Sequence, residues 1–116
     1  DLSFISLTKV LPNLKNLLAP NFNEMILLIK PQFEAGKEKV EKGGVVREKK
    51  VHKEVIENVI NCAKELNYAI NDLTFSSIKG PSGNIEYLIW LSNHNGEENN
   101  FDIKNIVETA FESLNN

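Results

Sequence analysis

The chain has 116 residues, 41% hydrophobic and 25% charged, with a net charge of −3, which is the length of one domain and the composition of a soluble globular protein. Its longest uninterrupted apolar runs, Met25 to Ile29 and Tyr87 to Leu91, are far too short for a transmembrane helix. A single cysteine, Cys62, excludes an intrachain disulfide and fits a reducing cytoplasm, and His52, Cys62 and His94 are too scattered for a zinc site.

Leu7, Val10, Leu11, Leu14, Leu17 and Leu18 follow helical spacing. Pro12 inside that pattern would remove a helical hydrogen bond, so the spacing predicts a regular helix starting near residues 9 to 12 and closed by Pro20 and Asn21. Met25 to Ile29 has no polar face and reads as a strand buried on both sides, stopped by Pro31. Residues 31 to 46, polar and containing Gly36, Gly43 and Gly44, read as a long loop.

Val51, Val55, Ile56, Val59, Ile60, Ala63 and Leu66 mark a second amphipathic helix over about 48–66, with His52 on an exposed flank and Cys62 on the apolar side. Leu73 to Ile78 alternates as a strand, Lys79 to Asn84 is a turn cluster, and Ile85 to Leu91 is a further strand, so the two favour an antiparallel pair. Residues 92–101 are polar, and Asp102 is placed to cap a third helix bearing Ile103, Ile106, Val107, Ala110, Phe111 and Leu114.

The predicted class is therefore α/β, with strands near 25–30, 72–78 and 85–91, the last lying between the other two and antiparallel to both. Three strands are thin for a doubly wound sheet, and no strand precedes the first helix. The expectation is the second half of a larger domain.

Ligands of open α/β sheets bind beyond the carboxyl ends of the strands. Lys30 stands there on the first strand, and partial desolvation after five apolar residues would favour the neutral amine that a base needs. Either that role or a plain strand-end lysine fits its position. Glu86 is the only charge between Ile85 and Leu91 and is either a strand-end residue or a carboxylate against apolar surface. Lys79 to Asn84 lacks the spacing of a phosphate-binding loop and reads as a tight turn. Residues 37–53 hold seven Lys or Arg and three Glu, while the remainder of the chain carries a net −7; this stretch is either a solvated face or a patch for phosphates.

Three segments together, DLSFISL (1–7), LLIKPQFEAGKEKVEKGGVV (27–46) and KGPSGNIEYLIWL (79–91), resemble the C-terminal half of the haemolysin A-like, TlyA-type ribosomal RNA methyltransferases, within the FtsJ-like group of ribose 2'-O-methyltransferases. The resemblance covers about residues 1–92. It implies S-adenosylmethionine as methyl donor, no metal, and ribosomal RNA or ribosomal subunits as partner. The implied fold is the C-terminal half of a Rossmann-like methyltransferase, a three-stranded mixed sheet with helices and an antiparallel last strand. It also implies domain limits: 1–92 as half of the methyltransferase domain, 93–101 as linker and 102–116 as C-terminal helix.

The family's catalytic tetrad carries over residue by residue. The aspartate of D-x-S-F falls on Asp1, the lysine of I-K-P-Q-F on Lys30 and the glutamate of N-I-E-Y on Glu86. Lys30 would be the base, oriented by Asp1 and Glu86, with Asp1 and Ser3 touching the donor and Lys37, Lys39, Lys42 and Arg47 touching RNA. The tetrad's first lysine, the glycine-rich donor loop and the family's small RNA-binding domain would fall upstream of Asp1. This stretch by itself is thus expected to bind the donor weakly, to be inactive alone and to self-associate through exposed sheet. Two other readings stand beside it: a non-catalytic RNA- or protein-binding module, and a membrane-active haemolysin, for which no helix has the needed basic and aromatic faces.

Overall fold

Residues 24–92 and 100–114 are described by the computed structural model. The helix predicted from residues 9–12 to 20 lies outside them, as do Asp1, Ser3, His94 and most of the stretch 93–101. The apolar run forms β1 (Glu24–Ile29). Proline then acts twice: it pushes the preceding residue into extended geometry, and its fixed φ suits the first position of a helix. Lys30 is accordingly extended (φ −112°, ψ 100°) and serves as N-cap of a one-turn helix, α1 (Pro31–Glu34).

The stretch expected to be a long loop is more ordered than its composition suggests. After α1 come a 3₁₀ turn over Lys37–Lys39 and a tight turn closed by a Glu41–Val45 bridge. Gly43 and Gly44 have φ values of 89° and 78° there, a region that residues with a β-carbon enter only at a cost.

The main helix, α2 (Lys49–Glu65), buries every apolar position predicted for its inner face except Leu66, which is its partly buried C-cap. It stops in a Schellman arrangement. Asn67 takes a left-handed φ of 67°, its N–H donates to Lys64 O, and the Tyr68 N–H donates to Ala63 O at 3.0 Å. The chain turns directly into β2 (Ala69–Phe75), and β3 (Tyr87–Ser92) follows after the turn at 81–83. The last element is α3 (Ile103–Leu114), capped as expected: Asp102 Oδ1 accepts from the Asn105 N–H at 3.1 Å.

The strand order is β1-β3-β2, with β3 antiparallel to both neighbours, as the sequence predicts. The sheet expected to be mixed is thus antiparallel in every pair among the described residues; β1 and β2 run the same way but β3 separates them. β2 starts three residues earlier than expected and ends before Ser76. A bulge at Asn71 puts Ile70 and Leu73 on the same face, breaking the alternation that marks a strand in sequence. At the other end the Ser76 hydroxyl bonds both the N–H and the C=O of Ile78, drawing the chain out of the ladder.

One face of the sheet, with Ile29, Ile70, Leu73, Tyr87, Ile89 and Leu91, packs against α2, and α3 packs on α2 and β2. Each fully buried aliphatic here contributes roughly 1.5–3 kcal/mol of transfer free energy. The opposite face is open. Ile26 is 66%, Leu28 40% and Trp90 37% exposed, so β1, expected to be buried on both sides, is buried on one.

Candidate active site

The geometry of the site follows from strand register. Ile29 pairs with Tyr87 in the final rung of the β1–β3 ladder. Lys30 is the next residue on one strand and Glu86 the residue before on the other, so the two face each other one step past that rung. This is the carboxyl end of β1 and β2. Lys30 is held on both sides, by the strand behind it and by α1 ahead, where its own carbonyl accepts from the Phe33 and Glu34 N–H groups at 2.8 and 3.1 Å. The origin of its side chain is therefore fixed.

Glu86 does not point into water, as an ordinary strand-end carboxylate would. The residue is 5% exposed. Its Oε2 accepts from Gln32 Nε2 at 3.1 Å, and its backbone carbonyl accepts from the Ser76 N–H at 2.8 Å. The carboxylate lies over the backbone of Gly80, where an added β-carbon would overlap it. Gly80 thus does more than turn the chain: it leaves the room that Glu86 occupies. Gln32 Oε1 is buried with no hydrogen-bond partner among the described residues. The site therefore offers an amine, a carboxylate and a spare acceptor at the end of one strand pair.

A buried polar frame holds this end together. Asn84 accepts from the Val46 N–H at 3.0 Å and donates to the Gly44 carbonyl at 2.7 Å. His52 Nε2 lies 2.7 Å from the Val46 carbonyl and its Nδ1 2.8 Å from the Tyr87 hydroxyl. A carbonyl only accepts, so Nε2 carries the proton and Tyr87 donates to Nδ1. Burial pushes the His52 pKa below its ordinary value and the Tyr87 pKa far above its own, which keeps both groups neutral. His52, expected on an exposed flank, is fully buried. Two things cover it: β3, and Phe111 of α3, whose ring packs edge-on 4.9 Å away.

Beside Gln32 a cleft of about 300 Å³ is lined by Gln32, Phe33, Val40, Gly44, Ser82 and Asn84. Its walls come from α1, the chain around the 41–45 turn and the turn before β3; Asn84 joins the last two, and the Gln32–Glu86 bond ties α1 to the start of β3. Of the basic residues expected to touch RNA, Lys37 falls in the 3₁₀ turn, Lys42 is exposed in the 41–45 turn, and Arg47 is exposed with its N–H bonded to Glu41 at 3.2 Å. Lys39 forms an exposed ion pair with Glu54 at 3.1 Å.

The strand register sets Lys30 opposite Glu86, with no ion pair between the two side chains among the described residues; Asp1 and Ser3 lie outside those residues. Sequence reasoning missed Gln32, Gly80, Asn84 and His52. For His52 a signal existed, because 52, 55, 56, 59 and 63 share one helical arc. Cys62 packs against the core as expected, and burial pushes its thiol pKa up. Among the described residues no three His, Cys, Asp or Glu side chains could hold a metal ion, and no helix is long and apolar enough to cross a membrane.

A strand-end lysine facing a buried glutamate, on an α/β scaffold with the last strand inserted antiparallel, defines a candidate group-transfer site. The chain belongs to the FtsJ-like methyltransferase family, whose model matches residues 1–93. It is 42% identical over 119 residues to YqxC of Bacillus subtilis (strain 168), and 43% identical over 91 residues to the 16S/23S rRNA (cytidine-2'-O)-methyltransferase TlyA of Mycobacterium tuberculosis. These alignments cover 98% and 78% of the chain; it spans only 42% and 34% of the length of the two relatives. A solved structure, "Putative hemolysin from Streptococcus thermophilus", superposes with a TM-score of 0.87 at 38% identity, covering 99% of this chain and 42% of that one.

Proposed function

We propose that the protein carrying this chain methylates a ribose 2'-hydroxyl of ribosomal RNA in the cytoplasm, with S-adenosylmethionine as donor and Lys30 as base. The observation that carries this reading is the placement of Lys30 opposite Glu86, with Gln32 and Gly80 fixing the carboxylate. A ribose hydroxyl is a poor nucleophile near neutral pH and gains from a base at the moment of transfer. The Lys30 amine takes the hydroxyl proton as the oxygen bonds to the methyl carbon. Glu86 orients the amine and balances the ammonium that forms. Gln32 Oε1 is a further acceptor, for that ammonium or for the hydroxyl itself.

When bound, the donor supplies the methyl group and leaves with the electron pair of the broken carbon–sulfur bond. Asp1 and Ser3 are proposed to touch it. The groups at the end of β1 suit a hydroxyl and its proton. Alignment of the reacting atoms supplies much of the remaining rate. Lys37, Lys39, Lys42 and Arg47 are proposed to meet RNA phosphates, with Lys39 first giving up an exposed ion pair worth little.

The test is transfer of labelled methyl from S-adenosylmethionine to ribosomal subunits, followed by nuclease digestion. Label in a 2'-O-methylnucleoside is expected, and label on a base or none at all would overturn the reading. Gly80→Ala sharpens it. Because the added β-carbon meets the far end of a side chain and not backbone, the carboxylate is displaced from Gln32 and the fold survives. The variant is expected to lose methyl transfer to about the extent of Glu86→Ala while melting within a few degrees of wild type. Normal activity in Gly80→Ala would show that the placement of Glu86 is irrelevant.

A further inference from the structure

The opening of α2 is electrostatically unusual. Its first turn carries Lys49 and Lys50, Lys53 follows, no acidic residue lies in that turn, and the Glu48 side chain does not cap it. The amino end of a helix is the positive end of its dipole, where cations are unfavourable and an anion is favoured. A second helix adds to the same spot. Lys104 of α3 joins Lys49, Lys50 and Lys53 around a groove of about 300 Å³, completed by Val107 and Glu108. Lys49 Nζ stands 5.7 Å from the centre of the Phe111 ring, which holds one amine over α3. Four lysines thus converge against one glutamate on a chain of net charge −3.

Position links this groove to the candidate active site. α2 leads from β1 back to β2, so its first turn stands at the carboxyl end of those strands, where Lys30 lies. His52, in that turn, bonds to Tyr87, the neighbour of Glu86. We propose that the groove between the start of α2 and α3 binds phosphates of the RNA backbone, and so places a ribose near Lys30. This rests on the RNA reading above. It extends the phosphate-binding surface from the basic stretch 37–53 to one that two helices build, and it adds Lys104, which no local stretch of sequence connects to the others.

The experiment is a fluorescence anisotropy titration of the full chain with a fluorescein-labelled RNA stem-loop over a range of NaCl concentrations. Each phosphate that a variant no longer neutralises should flatten the log–log salt slope by about 0.7–0.9. Lys104→Gln is expected to show one such step, and the triple Lys50→Gln, Lys53→Gln, Lys104→Gln two to three. Lys64→Gln, at the far end of α2, should change nothing. Thermal melting of the variants should match wild type, since these side chains are exposed.

Wild-type binding that the triple variant leaves untouched, in affinity and in slope, would overturn the groove and spare the RNA reading. No salt-dependent binding by wild type would overturn both. A third arm uses vesicles containing anionic phosphatidylglycerol. Vesicle binding abolished in the triple variant, with RNA binding intact, would identify a lipid-headgroup site and overturn the proposal.

Discussion

Lys30→Ala is expected to lower single-turnover methyl transfer by ~10²–10⁴-fold, the usual contribution of a general base, while leaving donor affinity near wild type. The measurement uses saturating RNA and donor, so that binding losses drop out. Lys30→Arg is the sharper variant. It keeps the positive charge and the reach, but a guanidinium stays protonated at any working pH and cannot accept the hydroxyl proton. It should fail almost as badly as alanine. Glu86→Gln should cost less, because glutamine keeps an oxygen near Gln32 and loses only the balancing charge. If Lys30→Arg retained near-normal turnover, Lys30 would act only by charge, and the role given to Glu86 would have to be rebuilt around RNA positioning.

Much of the scaffold was legible because its signals are local. The apolar face of α2, the Asp102 cap and the stop at Pro31 each depend on residues within a few positions of one another, and each stands where expected. The insertion of β3 between β1 and β2 is a long-range feature. It was legible only through the resemblance, together with the turn cluster that pairs the last two strands. Where a tertiary contact overrides a local pattern, the expectation fails. The bulge at Asn71 hid the first half of β2, and hydrogen bonds made by Ser76 removed the last three residues assigned to it. Met25 to Ile29 read as doubly buried because a strand with no polar face gives no hint that one face is open.

The site divides the same way. Lys30 and Glu86 stood out as charges at the ends of apolar runs, and the resemblance named them. Gln32 and Gly80 did not, because their roles exist only once the two strands are paired. A glutamine three residues after a strand is unremarkable until its Nε2 reaches a carboxylate 54 positions away. A glycine in a turn says nothing of the side chain that fills its empty space. Of the lysine groove, Lys49, Lys50 and Lys53 stood in the basic stretch 37–53, whereas Lys104 joins them only through helix packing.

The largest stability effect should come from His52. It bonds to the Val46 carbonyl on one side and the Tyr87 hydroxyl on the other, with no exposure to water. Removing the ring in His52→Ala leaves both partners buried and unpaired, at ~1–3 kcal/mol each, and opens a cavity besides. A total of about 3–4 kcal/mol is expected, which lowers the melting temperature of a domain of this size by on the order of 10 °C or more. The same residue sets a pH dependence whose sign is fixed. Burial holds the folded-state pKa below the ordinary 6.5, with the bond to Val46 opposing that shift in part. As pH falls below about 6.5 the unfolded chain takes up a proton that the folded chain refuses, so stability declines there, and it is fully present above that value. His52→Gln isolates this contribution. Its amide can donate to Val46 and accept from Tyr87 but does not titrate, so it should cost less than alanine and flatten the fall in melting temperature between about pH 6.5 and 5 relative to wild type. An unchanged slope in that variant would mean that other groups govern the acid response and that His52 takes up its proton equally in the folded and unfolded chains.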